Sequence, residues 1–167
     1  MSRIFAEPSY QQGVVPNSVF TAQGRTGRAV PDISANADPN AGYLIGESQT
    51  FPDGTVKYSE YRIGGTSLSC PLVAGIMALS DQAAGAPHGF ANPVFYANAG
   101  AFTDVTSPAS TVAVVRTNYV NGIDASAGLA HVLRTANQTL SLKTTPGYDD
   151  VTGLGSPTAS ILTLPTH

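Results

Sequence analysis

The chain has 167 residues, of which 42% are hydrophobic and only 11% are charged, and its formal net charge is −3 at pH 7. This length and apolar content are sufficient for one domain with a real core, which excludes a chain that is disordered by composition. The slightly acidic balance gives no reason to expect a nucleic-acid partner. Because no run of 18 apolar residues is present, no membrane partner or membrane span is expected, and no signal peptide is visible.

The first third of the chain carries few signals of regular structure. Its polar, Gly-containing and Pro-containing stretches predict a loop with a short helix over 4–15, a loop over 17–28 and a buried strand end over 30–34. Alternating side chains then predict strands over 43–46 and 55–63. Between these strands, Phe51-Pro52-Asp53-Gly54 has the residues of a tight turn.

A long apolar helix is predicted from Ser67 to Ala84, with Gly85 and Pro87 ending it. The remaining predicted elements are a short helix opening at 92–96, a strand or exposed hairpin over 112–120, an unassigned stretch over 129–134 and a closing helix over 157–164. Asn137-Gln138-Thr139 matches the glycosylation tripeptide, a pattern that is common by chance. We find no internal repeat and no low-complexity tract.

The stretch Gly64-Gly65-Thr66-Ser67 joins the second predicted strand to the long helix. This arrangement places Ser67 at a helix N-terminus, where free backbone N–H groups and the helix dipole favour negative charge. An oxyanion formed by attack of Ser67 on a carbonyl would be stabilised there. The competing interpretation is that the hydroxyl only caps the helix, which is the commoner role of such a residue. Cys70 is the only cysteine and is expected to be a small buried apolar residue rather than a nucleophile.

Four blocks of the sequence resemble one known family. Gly-Thr-Ser-Leu-Ser-Cys-Pro followed by Val-Ala-Gly, over 66–75, resembles the nucleophile motif of subtilisin-like serine peptidases. With the preceding double glycine it is more similar to the sedolisins, the acid-active serine-carboxyl peptidases. Residues 28–39 with Gly42-Tyr43 resemble the stretch before the sedolisin serine, and 102–106 and 147–157 resemble the sedolisin calcium segment.

The resemblance implies a fold and a function. It implies an α/β, subtilisin-like fold in which flanking helices, including the buried Ser67 helix, pack beside a mostly parallel sheet. Residues 1–167 would then be the C-terminal portion of a single catalytic domain, including a calcium-binding segment over 102–157. The implied activity is acid-active endopeptidase cleavage of peptide bonds through Ser67, in a secreted or extracellular protein or in an acidic compartment. The implied partners are a peptide or protein substrate and an upstream segment of the same domain.

In sedolisins a glutamate paired with an aspartate serves as the base, and a further aspartate donates to the oxyanion. A carboxylate base functions in acid, where a histidine would be protonated. None of these three upstream acids can be matched in this chain, so the isolated chain is expected to be inactive. Asp32 and Asp38 belong to the 28–39 block and are expected to be structural or to form turns. The other acids before Ser67 are Glu7, Glu47, Asp53 and Glu60.

The same resemblance implies one Ca²⁺ ion. Asp104 and Asp149 match the carboxylate ligands of the family, and Val105, Thr145 and Gly147 match positions that give backbone carbonyls. Calcium takes six to eight oxygen ligands, partly from such carbonyls. Without the resemblance, Asp104 and Asp149 would be interpreted as loop caps.

Two other functions stay open on the sequence alone. One is an esterase-like hydrolase with a Ser-Asp-His triad formed by Ser67, Asp104 or Asp124, and His131, although Ser67 lacks the usual Gly-x-Ser-x-Gly elbow. The histidines His88, His131 and His167 all follow Ser67, so the Asp-His-Ser order of subtilisins fails. The other is a non-catalytic module stabilised by calcium.

Overall fold

The computed structural model describes residues 1–39, 41–107, 112–121, 124–136 and 142–166. The chain divides into two units, which are described one at a time. Unit 1 contains residues 1–32 and 104–154, and unit 2 contains residues 33–103 and 155–167. The Asn137-Gln138-Thr139 tripeptide and His167 lie outside the described residues.

Unit 1 begins with a 3₁₀ helix, Ser9–Gln11, and the helix α1, Asn17–Gln23. The predicted loop over 17–28 is therefore wrong in its first half. Pro16 precedes α1, and Gly24 ends it in the left-handed conformation at φ 64°, which is a common helix ending. Val19 and Phe20 are buried, so the helix forms because two adjacent apolar residues reach the core of unit 1.

The predicted strand end over 30–34 is absent from the structure. Pro31 and Asp32 instead offer single hydrogen bonds: the Pro31 carbonyl accepts from the Tyr148 hydroxyl at 2.9 Å, and the Asp32 carbonyl accepts from the Leu154 N–H at 2.8 Å. Gly153 packs directly on the Asp32 backbone, since a Cβ at position 153 would lie 2.3 Å from the Asp32 carbonyl oxygen. The segment is thus held by the 148–154 loop rather than by a ladder.

The rest of unit 1 contains one antiparallel hairpin, β4 over Val112–Tyr119 and β5 over Leu129–Ala136. Their register pairs Val112 with Ala136 and Tyr119 with Leu129. The prediction of a strand or exposed hairpin after residue 112 is confirmed. A 3₁₀ helix, Ala125–Ala127, turns the chain at the tip.

Unit 2 opens with a second antiparallel hairpin, β1 over Tyr43–Thr50 and β2 over Val56–Ile63. This confirms the two predicted strands, the first extended by four residues. At the turn, the Asp53 carboxylate accepts hydrogen bonds from the N–H and the hydroxyl of Thr55, at 2.9 and 2.7 Å. The hairpin leads directly into Gly64-Gly65 and the helix α2, Thr66–Ala84.

After α2, unit 2 continues with α3, Asn92–Ala97, and a 3₁₀ helix, Ala99–Ala101. The short strands β3, Phe102–Thr103, and β6, Ser156–Pro157, pair antiparallel. The predicted closing helix is a 3₁₀ helix, Ala159–Thr163, whose first turn is capped by the Thr158 hydroxyl. The core of the unit is apolar; its buried apolar members include Val94, Phe95, Tyr96, Ala101, Phe102, Ile161 and Leu164.

All sheet pairings among the described residues are antiparallel and two-stranded. The expected mostly parallel sheet is therefore not formed by this part of the chain, and it stays a prediction about the larger fold. Within the described ranges, we find no helix that is both long and apolar enough to cross a membrane.

Candidate active site

The turn that carries Ser67 is held by the segment before β1. Gly65 has φ 87°, which glycine adopts readily, and its N–H donates to the Ala37 carbonyl at 2.6 Å. Gly64 packs directly on Pro39, because a Cβ at Gly64 would lie 2.4 Å from the Pro39 nitrogen. The double glycine is therefore required by a close backbone approach as well as by the turn.

Ser69 also links the start of α2 to the 35–39 segment. Its hydroxyl donates to the carbonyls of Ala35 and Asn36, at 3.2 and 2.8 Å. In the 35–39 segment, the Asn36 side chain in turn accepts from the Asp38 N–H at 3.0 Å. Residues 35–39 thus contact the start of α2 at Gly64, Gly65 and Ser69, and we call this segment the 35–39 bracket.

Ser67 itself is exposed, and it is the second residue of α2 rather than its N-cap. The N-cap is Gly65, whose carbonyl accepts from the N–H groups of Leu68 and Ser69. The capping interpretation of Ser67 is therefore wrong. Among the described residues, the N–H groups of Thr66 and Ser67 have no hydrogen-bond acceptor, so they remain free at the positive end of the helix.

Pro71 lies inside α2, two residues beyond the first turn over 66–69. Since proline has no N–H, the Ser67 carbonyl cannot receive the usual helical hydrogen bond from position 71. This loss falls on the residue that carries the candidate nucleophile. Cys70 is exposed, contrary to the expectation that it is buried.

The helix α2 is not a buried helix in this chain, which corrects the expectation from its apolar sequence. Of its 19 residues, Ser80 alone is buried, and the Leu79 side chain is 56% exposed. One side of α2 packs on the 3₁₀ helix Ala159–Thr163, where the Ser80 hydroxyl donates to the Ile161 carbonyl at 2.7 Å. The remaining apolar surface of α2 is uncovered by the described residues of unit 2.

Asp32 has a structural role, as its sequence block predicts. Its carboxylate lies 2.5 Å from the Arg28 guanidinium and 3.4 Å from the buried Gln11 amide. Gln11 in turn binds both the N–H and the carbonyl of Ala29, at 2.9 Å each. Asp32 therefore belongs to a cluster that fixes the 28–32 loop of unit 1.

The structure brings the two proposed calcium carboxylates to one loop of unit 1. Asp149 is buried, at 1% exposure, and its Oδ1 accepts from the N–H groups of Val151 and Thr152 at 3.0 and 2.7 Å. Its Oδ2 accepts from the Thr145 N–H at 2.9 Å. Asp104 Oδ2 accepts from the Gly147 N–H at 2.8 Å, which places the 104 and 147 positions side by side. Gly147 has φ 81°, a conformation that favours glycine.

This donor set suits calcium in its chemistry. Two carboxylates and backbone carbonyls are hard oxygen ligands. Asp104 Oδ2 and Asp149 Oδ2 each accept one N–H, which leaves a lone pair on each of these two oxygens, whereas Asp149 Oδ1 accepts from the Val151 N–H, from the Thr152 N–H and from the Thr152 hydroxyl. The same hydrogen bonds also make Asp149 a loop cap. Within the described ranges, no group of three or more His, Cys, Asp or Glu side chains is assembled, so a cation here would need further ligands from backbone carbonyls, neutral side chains or water.

The residues of the alternative triad have local partners. His131 Nδ1 lies 2.8 Å from the Thr117 hydroxyl across the β4–β5 hairpin. Hydrogen bonds from Ser126 and Asn121 hold the pKa of Asp124 at about 2. In the part of the chain that the structure describes, no hydrogen bond or ion pair joins His131 to Asp104 or Asp124. The esterase alternative thus stays a prediction, which the pH–rate profile described below addresses.

Unit 2 thus presents an exposed serine on a bracketed turn at the start of α2, and unit 1 separately holds two carboxylates at one loop. Comparison with known proteins gives the class: no family model matches, but curated relatives do. Kumamolisin of Bacillus sp. strain MN-32 is 34% identical over 94% of this chain, and human tripeptidyl-peptidase 1 is 31% identical over 93%. Aorsin of Aspergillus oryzae is 33% identical over 80%. The chain belongs to the sedolisin family and corresponds to the C-terminal part of its peptidase domain.

The chain spans a quarter or less of the length of the curated relatives named here. It covers 23% of kumamolisin, 25% of human tripeptidyl-peptidase 1 and 16% of aorsin. Family membership supports the α/β, subtilisin-like fold class in general terms.

Proposed function

We propose that these residues form the nucleophile-bearing part of an acid-active serine-carboxyl peptidase. The observation that carries the proposal is the exposed Ser67 in the first turn of α2, beside free N–H groups, in a chain homologous to peptidases. In this reaction Ser67 Oγ bonds to the substrate carbonyl carbon while its proton passes to a carboxylate base. The peptide C–N bond then breaks, the amine leaves with a proton, and water releases the acyl group from Ser67.

The base and the acid that donates to the oxyanion are proposed to come from an upstream segment of the same domain. The uncovered side of α2 supports this, because a helix with so many apolar residues needs a partner that the described residues do not supply. We propose that this upstream segment supplies the parallel sheet and packs on α2. The substrate is proposed to be a peptide or protein, cleaved internally, and the site of action outside the cell or in an acidic compartment.

The experiment that tests the function is a pH–rate profile of the full-length protein with internally quenched peptides. A carboxylate base functions once it is ionised and needs no neutral histidine, so the rate is expected to peak below about pH 6. A profile that rises through pH 7 with the pKa of a histidine would contradict the proposal and favour the esterase-like alternative.

We also propose one Ca²⁺ ion held by Asp104 and Asp149 with the carbonyls of Val105, Thr145 and Gly147. Such an ion would neutralise two carboxylates and tie the 104 loop to the 145–149 loop. The family resemblance and the pairing of Asp104 with the Gly147 N–H support this proposal. Without the ion, the same region would act only as a set of loop caps.

Calcium is expected to stabilise the folded protein. Binding to the folded form alone adds about 2.7 kcal/mol at a hundredfold excess over Kd. The check is thermal melting with calcium and with chelator, on the parent and on Asp104→Asn, which keeps an oxygen but loses the charge. Asp124→Asn is the matched control, since Asp124 lies at a hairpin tip with its own partners. An unchanged Tm of the parent in chelator at neutral pH would contradict the site.

A further inference from the structure

Unit 2 contains a buried histidine that the proposed peptidase chemistry does not use. His88 is 2% exposed and lies between the end of α2 and the C-terminal segment. Its ring Nδ1 is 2.6 Å from Asp81 Oδ1 on α2, and its ring Nε2 is 3.2 Å from the Leu164 carbonyl. Its backbone N–H also donates to Asp81 Oδ1, at 3.0 Å.

Both ring nitrogens of His88 therefore face acceptors. A carboxylate oxygen and a carbonyl oxygen can only accept, whereas a neutral imidazole has one N–H and one lone pair. Either neutral tautomer of His88 would leave one ring nitrogen's lone pair facing the Asp81 carboxylate or the Leu164 carbonyl, away from water. Only the imidazolium donates to both partners, so the geometry selects the charged ring.

The electrostatics agree with this geometry. The hydrogen bond to Asp81 raises the pKa of His88 above its ordinary value, and burial opposes that change. The same hydrogen bond lowers the pKa of Asp81. The titratable side chains of α2 are Cys70 and Asp81, and of these Asp81 contacts the His88 ring. The facing segment 159–164 contains no titratable side chain.

We propose that His88 is an acid-dependent clasp: as an imidazolium it fastens the segment 159–164 to the end of α2, and as a neutral ring it lets that segment loosen. The neighbouring hydrogen bond from the Ser80 hydroxyl to the Ile161 carbonyl contains no titratable group. The pH effect is therefore confined to the Leu164 end. The clasp acts on the helix that carries Ser67, but it does not depend on the proposed peptidase activity.

The direction of the pH effect follows from the two pKa changes. A raised histidine pKa gives stabilisation that is complete below the unfolded value of about 6.5 and is lost as the pH rises through the folded pKa. A lowered Asp81 pKa gives stabilisation that is lost only as the pH falls through a value below 3.8. The clasp is thus closed in mild acid and opens towards neutral and alkaline pH.

The test uses the full-length protein with Ser67→Ala, so that it cannot digest itself. Exchange of the histidine C2 hydrogen, followed by mass spectrometry, gives the titration midpoint of His88. We expect a midpoint above about 6.5, the ordinary histidine value. A midpoint below that value would overturn the proposal, and this readout needs no variant at position 88.

Backbone amide exchange of the 159–166 peptide, corrected for the intrinsic effect of pH, measures the loosening. We expect exchange to rise between pH 5 and pH 8, because loss of the ring's charge removes the donor to the Leu164 carbonyl. His88→Gln should remove this pH dependence, and His131→Gln, on an exposed hairpin, should retain it. Equal protection at both pH values in the parent, or the same pH dependence in His88→Gln, would overturn the clasp.

Discussion

Replacing Ser67 by alanine is expected to lower kcat/KM of the full-length protein for a peptide by about 10⁴-fold or more. Removing the nucleophile of a serine peptidase leaves only binding and oxyanion stabilisation, which accounts for a loss of this size. The measurement is a progress curve with a quenched peptide at the acidic optimum. Because Ser67 is exposed and its hydroxyl is not the N-cap of α2, the thermal stability should change little.

Cys70→Ala is the matched control, since Cys70 carries an exposed thiol near the start of α2. It should keep activity within a few-fold of the parent. Retained activity in Ser67→Ala, or an equally large loss in Cys70→Ala, would show that Ser67 is not the nucleophile.

Gly64→Ala is expected to destabilise the fold by about 2–4 kcal/mol and to remove activity. The new Cβ would lie 2.4 Å from the nitrogen and 2.5 Å from the Cα of Pro39, which are backbone atoms that cannot rotate away. Either the 35–39 bracket or the turn before Ser67 must move. Denaturant unfolding in the Ser67→Ala background measures the stability, and peptide hydrolysis in the parent background measures the activity.

Gly100→Ala is the control for this substitution. A Cβ at Gly100 has open space around it and no left-handed φ, so its effect should stay within about 1 kcal/mol. If Gly64→Ala behaves like Gly100→Ala, then the close approach of Gly64 to Pro39 is not what positions Ser67.

The sequence predicted elements well where local chemistry alone decides the structure. The β1–β2 hairpin follows from alternation and from Asp53-Gly54 in its turn, and α2 follows from Gly65 at its start and Gly85 at its end. The helix α1 was missed because only two of its seven residues, Val19 and Phe20, reach the core. Its flanking Pro16 and Gly24 were signals that could have identified it.

Burial and pairing depend on distant residues, and there the sequence was less informative. The apolar α2 was expected to be buried, but its burial needs a partner that sequence periodicity cannot locate. The strand expected over 30–34 is absent; the Pro31 carbonyl instead accepts from the Tyr148 hydroxyl, and the Asp32 carbonyl accepts from the Leu154 N–H. The role of Ser69 in bracketing the turn also required coordinates, since neither spacing nor composition joins it to the 35–39 segment.

For the candidate site, the motif placed Ser67 correctly at a strand–turn–helix junction. The His88 clasp was not expected from the sequence, because the ring meets a carboxylate seven residues before it and a carbonyl 76 residues after it. A single histidine after a helix does not indicate in the sequence which carboxylate and carbonyl its ring will contact.

The most direct test of the central claim is covalent labelling with a fluorophosphonate probe, followed by peptide mapping. We predict that the probe labels Ser67 in the full-length protein at acidic pH. We also predict that these 167 residues alone react negligibly until the upstream segment is added, because the base and the oxyanion donor are proposed to come from that segment. Labelling of Ser67 to the same extent in the isolated chain, or labelling at another residue in the full-length protein, would contradict the claim.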